Sequence, residues 1–222
     1  MRLAADAEAR LASYVRLVAE ASRLTNLTGF RGEEAFIRGG VFHSLSLLPL
    51  AEGRGPVVDV GSGVGLPGMV WAAAMPERRL TLCEMRPLRA RFLESTAQRL
   101  GLTIEVVCTP AEALGRTPRR ESFEVGVARA VGALPYLTEL ILPLLAMGGR
   151  AILPKGPSQR AEIAPASELA RIMGGRLRTV GEPDVLGEER LGFVAIIEKE
   201  MPTPPPYPRS AKRVGTVVRT KV

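Results

Sequence analysis

Apolar residues recur at spacings of four and three near the start of the chain. Leu3, Ala7, Leu11, Val15 and Val18 are separated by charged positions, which predicts an amphipathic helix over 3–23. Its apolar stripe needs a partner. The turn-like Thr25-Asn26-Leu27-Thr28-Gly29 ends it, and a second helical segment is expected from about Glu33 to Leu50, interrupted at Gly39-Gly40. From residue 56 the period changes. Short runs rich in β-branched residues at 56–60, 79–84, 103–108, 123–128 and 149–154 alternate with helical patterns at 66–75, 87–100, 133–146 and 158–173. That alternation predicts βαβ units and a mostly parallel sheet. Two further strand-like runs, 177–183 and 191–198, leave no room for a crossover helix and are expected to pair antiparallel. No internal repeat is visible. The proline-rich stretch from Pro202 to Pro208 excludes helix and predicts an extended tail.

With 222 residues, the chain can bury one α/β domain with an appendage but is too short for a dinucleotide domain plus a substrate domain. The expected organisation is one globular unit: a helical extension over 1–52, an α/β domain over 53–200 and a basic tail over 201–222. Hydrophobic content of 46% and charged content of 24% exclude bulk disorder. Cys83 and Cys108 lie in apolar, strand-like runs, which suits reduced, buried thiols better than a disulfide framework or a metal site. Charges interrupt the apolar positions of the first 23 residues, so no secretory signal is expected, and the uncharged window from Val60 to Pro76 is too broken to span a membrane. A soluble cytoplasmic protein follows as the expectation.

The net charge is +7, and most of the surplus sits in the tail as Arg209, Lys212, Arg213, Arg219 and Lys221, with no acid among them. Such a tail is a candidate RNA contact, or simply a solvated basic end.

The chemistry concentrates at Val57 to Gly68, VVDVGSGVGLPG. A glycine-rich turn between a parallel strand and a helix lets backbone amides approach a ligand at the crevice beyond the strand's carboxyl end. Gly61, Gly63 and Gly65 give GxGxG, whereas the dinucleotide fingerprint needs its third glycine three positions after the second, where Leu66 stands. The spacing points to S-adenosylmethionine rather than NAD. Asp59 precedes the loop, and Glu84 closes the next strand at the distance expected for an acid that binds ribose hydroxyls.

These segments resemble the bacterial glucose-inhibited division protein B (GidB/RsmG) family, the small-subunit ribosomal RNA guanine-N7 methyltransferases. The likeness runs from about Asn26 to the tail. It rests on Asn26-Leu27-Thr28, DVGSGVGLPG, Arg91-Phe92-Leu93, FEVGVARAV at 123–131, Lys155-Gly156, Tyr207-Pro208-Arg209 and Gly215. The resemblance implies a class I Rossmann-like methyltransferase fold: a mostly parallel seven-stranded sheet, helices on both faces, an antiparallel last strand and a helical N-terminal extension. It implies S-adenosyl-L-methionine as cofactor and small-subunit rRNA or the ribosomal subunit as partner, with no metal and no protein partner expected.

By that resemblance the cofactor contacts fall at Gly61, Leu66, Ala111, Glu112 and Arg129, with Glu84 as the acid; Asp59, Gly63 and Gly65 complete the set expected of the loop. Glu112 also reads as a helix-start charge. Arg129, Lys155, His43 and Asn26 are the catalytic candidates. Arg129 and Lys155 can hold phosphate, a base edge or the cofactor carboxylate, or form ordinary ion pairs. Asn26 and Thr28 can line a base pocket or cap a helix. Phe30, Phe42 and Tyr207 are the candidates for stacking on a splayed base. The chain departs from the family around its only histidine. Phe42 precedes His43 where an arginine is usual, and Ser46-Leu47 replace an Asp-Ser pair. Guanine N7 has a lone pair and no proton, so its methylation needs no general base, which agrees with the lack of a Ser-His-Asp set or metal-ligand cluster in the sequence.

Overall fold

The computed structural model describes residues 3–24, 27–184 and 192–209. Asn26 and the tail cations Lys212, Arg213, Arg219 and Lys221 lie outside the described residues, as does Gly215. Helix α1 (Ala5–Leu24) buries Ala7, Leu11, Val15 and Val18, the anticipated stripe, and adds Tyr14 and Leu17. Helix α2 (Glu33–Phe36) continues into a π-helical stretch, Ile37–Phe42, then α3 (His43–Ser46) and a 3-10 turn at Leu48–Ala51. The interruption expected at Gly39-Gly40 is therefore a widened helix. A Cβ on Gly39 would come within 2.8 Å of the Phe30 ring, and one on Gly40 within 3.1 Å of Leu66, so only glycine allows this approach.

The α/β part follows as β1 (Val57–Val60), α4 (Gly68–Ala74), β2 (Leu80–Cys83), α5 (Pro87–Arg99), β3 (Glu105–Val107), α6 (Ala111–Leu114), β4 (Phe123–Val127), α7 (Leu134–Ile141), β5 (Leu145–Lys155), α8 (Ile163–Ile172), β6 (Gly175–Gly181) and β7 (Phe193–Lys199). The strands form one sheet in the order β3-β2-β1-β4-β5-β7-β6. β7 runs antiparallel to both β5 and β6, while the pairs among β1 to β5 are parallel. All four residues of β1 and all four of β2 are buried, as befits central strands covered on both faces. The antiparallel β6–β7 pairing and the reversed last strand agree with expectation.

Cys108, expected to be buried like Cys83, is exposed just beyond the end of β3, and two helix boundaries differ by about five residues. The helix expected over 133–146 ends at Ile141, passes through a 3-10 turn at Leu142–Leu144 and becomes strand at Leu145. Pro143 ends it, because a proline ring within the helix has no N–H to donate and clashes with the preceding turn. The helix expected over 158–173 opens as a 3-10 segment, Pro157–Glu162, before α8.

Three apolar clusters hold the layers together. One joins α7, α8 and the tail residue Tyr207 to one face of the sheet. A second packs α1, α2, α4 and α5 together over the glycine loop residues Val64 and Leu66. The third centres on Trp71, fully buried, whose Nε1 donates to the Ser44 carbonyl at 2.7 Å. The N-terminal helices are thus built into the core on the side where the sheet order reverses between β1 and β4, the usual ligand crevice.

Candidate functional site

Four features shape the loop after β1. Gly61, Gly63 and Gly65 have φ of 71°, 60° and 106°, in the left-handed region that glycine enters at little cost. Their reasons differ. A Cβ on Gly61 would lie 2.6 Å from Val131 and one on Gly65 2.3 Å from Met69, so these two are packing requirements. A Cβ on Gly63 would meet Arg89 Nη1 and the Gly61 carbonyl at 3.9 Å, ordinary contact, so this position is not crowded. Gly68 completes the set: its amide donates to Asp59 Oδ2 at 2.9 Å, and a Cβ there would sit 2.6 Å from the same oxygen.

Asp59 therefore braces the loop from behind. It is buried, burial pushes its carboxyl up to about 7, and its Oδ1 has no hydrogen-bond partner among the described residues. Glu84 stands at the loop's other side. Its Oε2 accepts from the Gly63 amide at 2.9 Å and its Oε1 from the Arg86 amide at 2.8 Å. The amides of Gly61 and Ser62 donate to the Cys83 carbonyl at 2.8 and 3.3 Å, so loop and strand end are fixed to each other. Cys83 is no nucleophile: burial foremost, then the Asp59 and Glu84 charges, push its thiol up to about 12.

From α1, the Tyr14 hydroxyl donates to the Val64 carbonyl at 2.9 Å. Tyr14 lies outside the apolar stripe expected for this helix, and nothing in the sequence signals its contact with the loop.

Two clefts open beyond the strand ends. The first, about 380 Å³, is lined by Leu27, Thr28, Phe30, Gly63, Leu66 and Arg89, among others. The second, about 530 Å³, is lined by His43, Gly132, Lys155, Gly156, Gln159 and Glu182, among others. Arg129 and Ala130 line both and form the ridge between them. Ala130 has φ of 56°, a conformation that costs a non-glycine residue about 1–3 kcal/mol and clusters at functional sites.

Arg129 is held where the N-terminal helices meet the sheet. Its Nη1 donates to the Gly40 carbonyl at 3.4 Å and its Nη2 to that of Gly39, and the guanidinium lies 5.6 Å from the Phe30 ring centroid. The π-helical stretch supplies both carbonyls, so the Gly39-Gly40 interruption also serves the site. Lys155 is buried, donates to the Gly132 carbonyl and pairs with Glu162 at 3.3 Å. Burial pushes its ammonium below the usual lysine range, with Glu162 opposing. Among the described residues, no group of three or more His, Cys, Asp or Glu could hold a metal ion.

The structure brings Gly61, Gly63, Leu66, Glu84, Arg129, Lys155 and His43 to this edge of the sheet. Ala111 and Glu112 open α6 beyond β3; the Glu112 charge is felt at Cys83 and Tyr136, but neither Ala111 nor Glu112 lines the two clefts. Of the stacking candidates, Phe30 lines the first cleft, whereas Phe42 and Tyr207 line neither. Arg209 is directed elsewhere: its amide and Nε donate to Glu139 Oε1 at 2.8 Å and its Nη2 to Oε2, so it ties the tail to α7. Glu182 and Gln159 carry no motif and were not legible as site residues. No helix among the described residues is long and apolar enough to cross a membrane.

Comparison with known proteins agrees with this geometry. Solved structures with the same fold include a SAM-dependent O-methyltransferase from Thermotoga maritima (TM-score 0.52, 10% identity, 73% of this chain and 66% of that one). Another is M. jannaschii TYW2 in complex with AdoMet (TM-score 0.56, 11% identity, 74% and 77%). At such identities the likeness is one of fold. In sequence, the chain is 35% identical over 211 residues to the ribosomal RNA small subunit methyltransferase G of Caldicellulosiruptor bescii, covering 92% of this chain and 89% of the relative. It is 39% identical over 210 residues to the protein of that name from Symbiobacterium thermophilum, covering 89% and 84%. The GidB family model, described as rRNA small subunit methyltransferase G, matches residues 7–183. Matched by the family model over residues 7–183 and aligned with these relatives over most of both chains, this chain belongs to the rRNA small subunit methyltransferase G family.

Proposed function

We propose that the protein transfers a methyl group from S-adenosylmethionine to N7 of a guanine in small-subunit rRNA, as free RNA or within the ribosomal subunit, in the cytoplasm. The observation that carries this reading is the open face of Gly63. It is a positive-φ glycine whose missing Cβ leaves room for a ligand, clasped by Glu84 on one side and facing a cleft that ends at Arg129. The residues present fit the cofactor. Glu84 would hold its ribose hydroxyls, the loop would admit its nucleoside without side-chain obstruction, and Arg129 would meet its carboxylate.

S-adenosylmethionine held there would supply a methyl group on a cationic sulfur, an electrophile suited to the guanine N7 lone pair, with the neutral thioether as leaving group. No proton moves, so this chain needs to align rather than to titrate. Alignment of two reactants is worth roughly 7–11 kcal/mol at best. The ridge formed by Arg129 and Ala130 separates the cofactor side from the cleft lined by Lys155 and Gln159, and that second cleft is the acceptor side. Product guanine carries a positive charge. Glu162 beside the acceptor cleft offsets the Lys155 charge.

Incubation with cofactor labelled at the methyl, plus small-subunit RNA or particles, followed by mapping of the modified base, tests the proposal. Label at N7 of a single guanine is the expected result. Label on another atom, or on protein alone, overturns it.

A further inference from the structure

One buried contact in the acceptor cleft joins segments 139 residues apart. His43 Nε2 lies 2.7 Å from Glu182 Oε1, with the two side chains 4% and 11% exposed. His43 sits on α3 and Glu182 just beyond β6, and both line the cleft with Arg129, Lys155 and Gln159. An imidazole and a carboxylate this far from water interact more strongly than an exposed pair, and each fixes the other's orientation.

The carboxylate is also confined from behind. A Cβ on Gly192, at the entry to β7, would come within 2.1 Å of Glu182 Oε2, so the group fills the space that this glycine leaves. Ser46, one helical turn after His43, has only a hydroxyl, which donates to the His43 carbonyl at 2.9 Å. Here the carboxylate reaches the imidazole from the far end of the sheet. Neither His43 nor Glu182 lines the cofactor-side cleft, so their influence is confined to the acceptor.

We propose that Glu182 is a positioning residue for the methyl acceptor: it fixes the His43 imidazole in the wall of the second cleft, so that the surface offered to the guanine is set before RNA arrives. This rests on the proposed methyl transfer to rRNA. A plain tether between β6 and α3 would behave differently, because a carboxylate supplied from α3 itself can orient His43 but cannot tie the two elements together.

The test uses the full chain, with methyl transfer to small-subunit RNA measured at saturating cofactor and cofactor affinity measured separately by calorimetry. Glu182→Ala is expected to lower the transfer rate about 10- to 100-fold, the scale for a displaced positioning group, with cofactor Kd within about twofold of wild type. Adding Ser46→Asp to that variant places a carboxylate one turn from His43 and is expected to restore most of the lost rate. Glu182→Gln, which keeps the shape, serves for the same comparison if the alanine variant melts early. Wild-type transfer by the Glu182 variants, equal loss of cofactor affinity, or failure of Ser46→Asp to restore the rate each overturns the proposal. A wild-type protein that transfers no methyl to RNA overturns the functional reading itself, which separates the two failures.

Discussion

The Gly63 amide donates to Glu84 Oε2 at 2.9 Å, so the acid at the end of β2 touches the most open residue of the glycine loop. Glu84 is buried, and its other oxygen accepts from the Arg86 amide at 2.8 Å, so the carboxylate is fixed beside the loop. Glu84→Ala removes a charged acceptor, and hydrogen bonds to charged groups are worth about 1.5–3 kcal/mol. Cofactor Kd by calorimetry is expected to rise roughly 10- to 100-fold. A variant with unchanged Kd would show that Glu84 only braces the loop.

Two glycines of the same loop are expected to respond differently to alanine. At Gly65 the new Cβ would sit 2.3 Å from Met69, inside the core, so Gly65→Ala should lower the urea midpoint and yield little folded protein. At Gly63 the Cβ fits at ordinary contact distances of 3.9 Å, leaving only the cost of a positive φ, about 1–2 kcal/mol. Gly63→Ala should therefore fold but bind cofactor poorly. Equal stability losses in the two variants would contradict this division.

The sheet and the loop were legible because they depend on local signals. Val57 to Val60 announce a buried strand, and glycines at alternate positions announce a turn with exposed amides. Glu84 was found by counting along the chain. Glu182 was not, since its role depends on β6 and β7 carrying it to His43, and nothing in its neighbours' composition marks that meeting. The same holds for the second use of Gly39-Gly40. A helix break is visible in sequence, whereas the arginine that takes its carbonyls comes from 89 and 90 residues away. Ala130 gave no signal at all, because its positive φ is imposed by the chain around it.

Arg209 was expected to contact RNA, but its contacts point to a tail anchor. Glu139 is fully buried and receives the Arg209 amide, Nε and Nη2. Arg209→Ala leaves that carboxylate without its charge partner. The penalty for breaking a buried pair is 3–5 kcal/mol, and the partial exposure of Arg209 puts this case near the lower end, about 3 kcal/mol. Adding Glu139→Gln should recover much of the loss in thermal melting. Weakened RNA binding with unchanged melting would instead make Arg209 an RNA contact.

Asp59 should leave a pH signature of its own. Burial raises its carboxyl from 3.8 to about 7, so between those values the folded protein keeps a proton that the unfolded chain has lost. Stability contributed by this group is complete below about pH 4, falls as pH rises through 7, and is level above that. The shift corresponds to a loss on the order of 4 kcal/mol at most. Asp59→Asn cannot ionise and keeps an oxygen for the Gly68 amide, so the variant should lack this part of the decline. Urea midpoints of both proteins at pH 5 and pH 8 measure it. The difference between wild type and variant must change in favour of the variant at the higher pH, since every other titrating group is common to the two; identical pH slopes would mean that Asp59 is already ionised in the folded protein at pH 5.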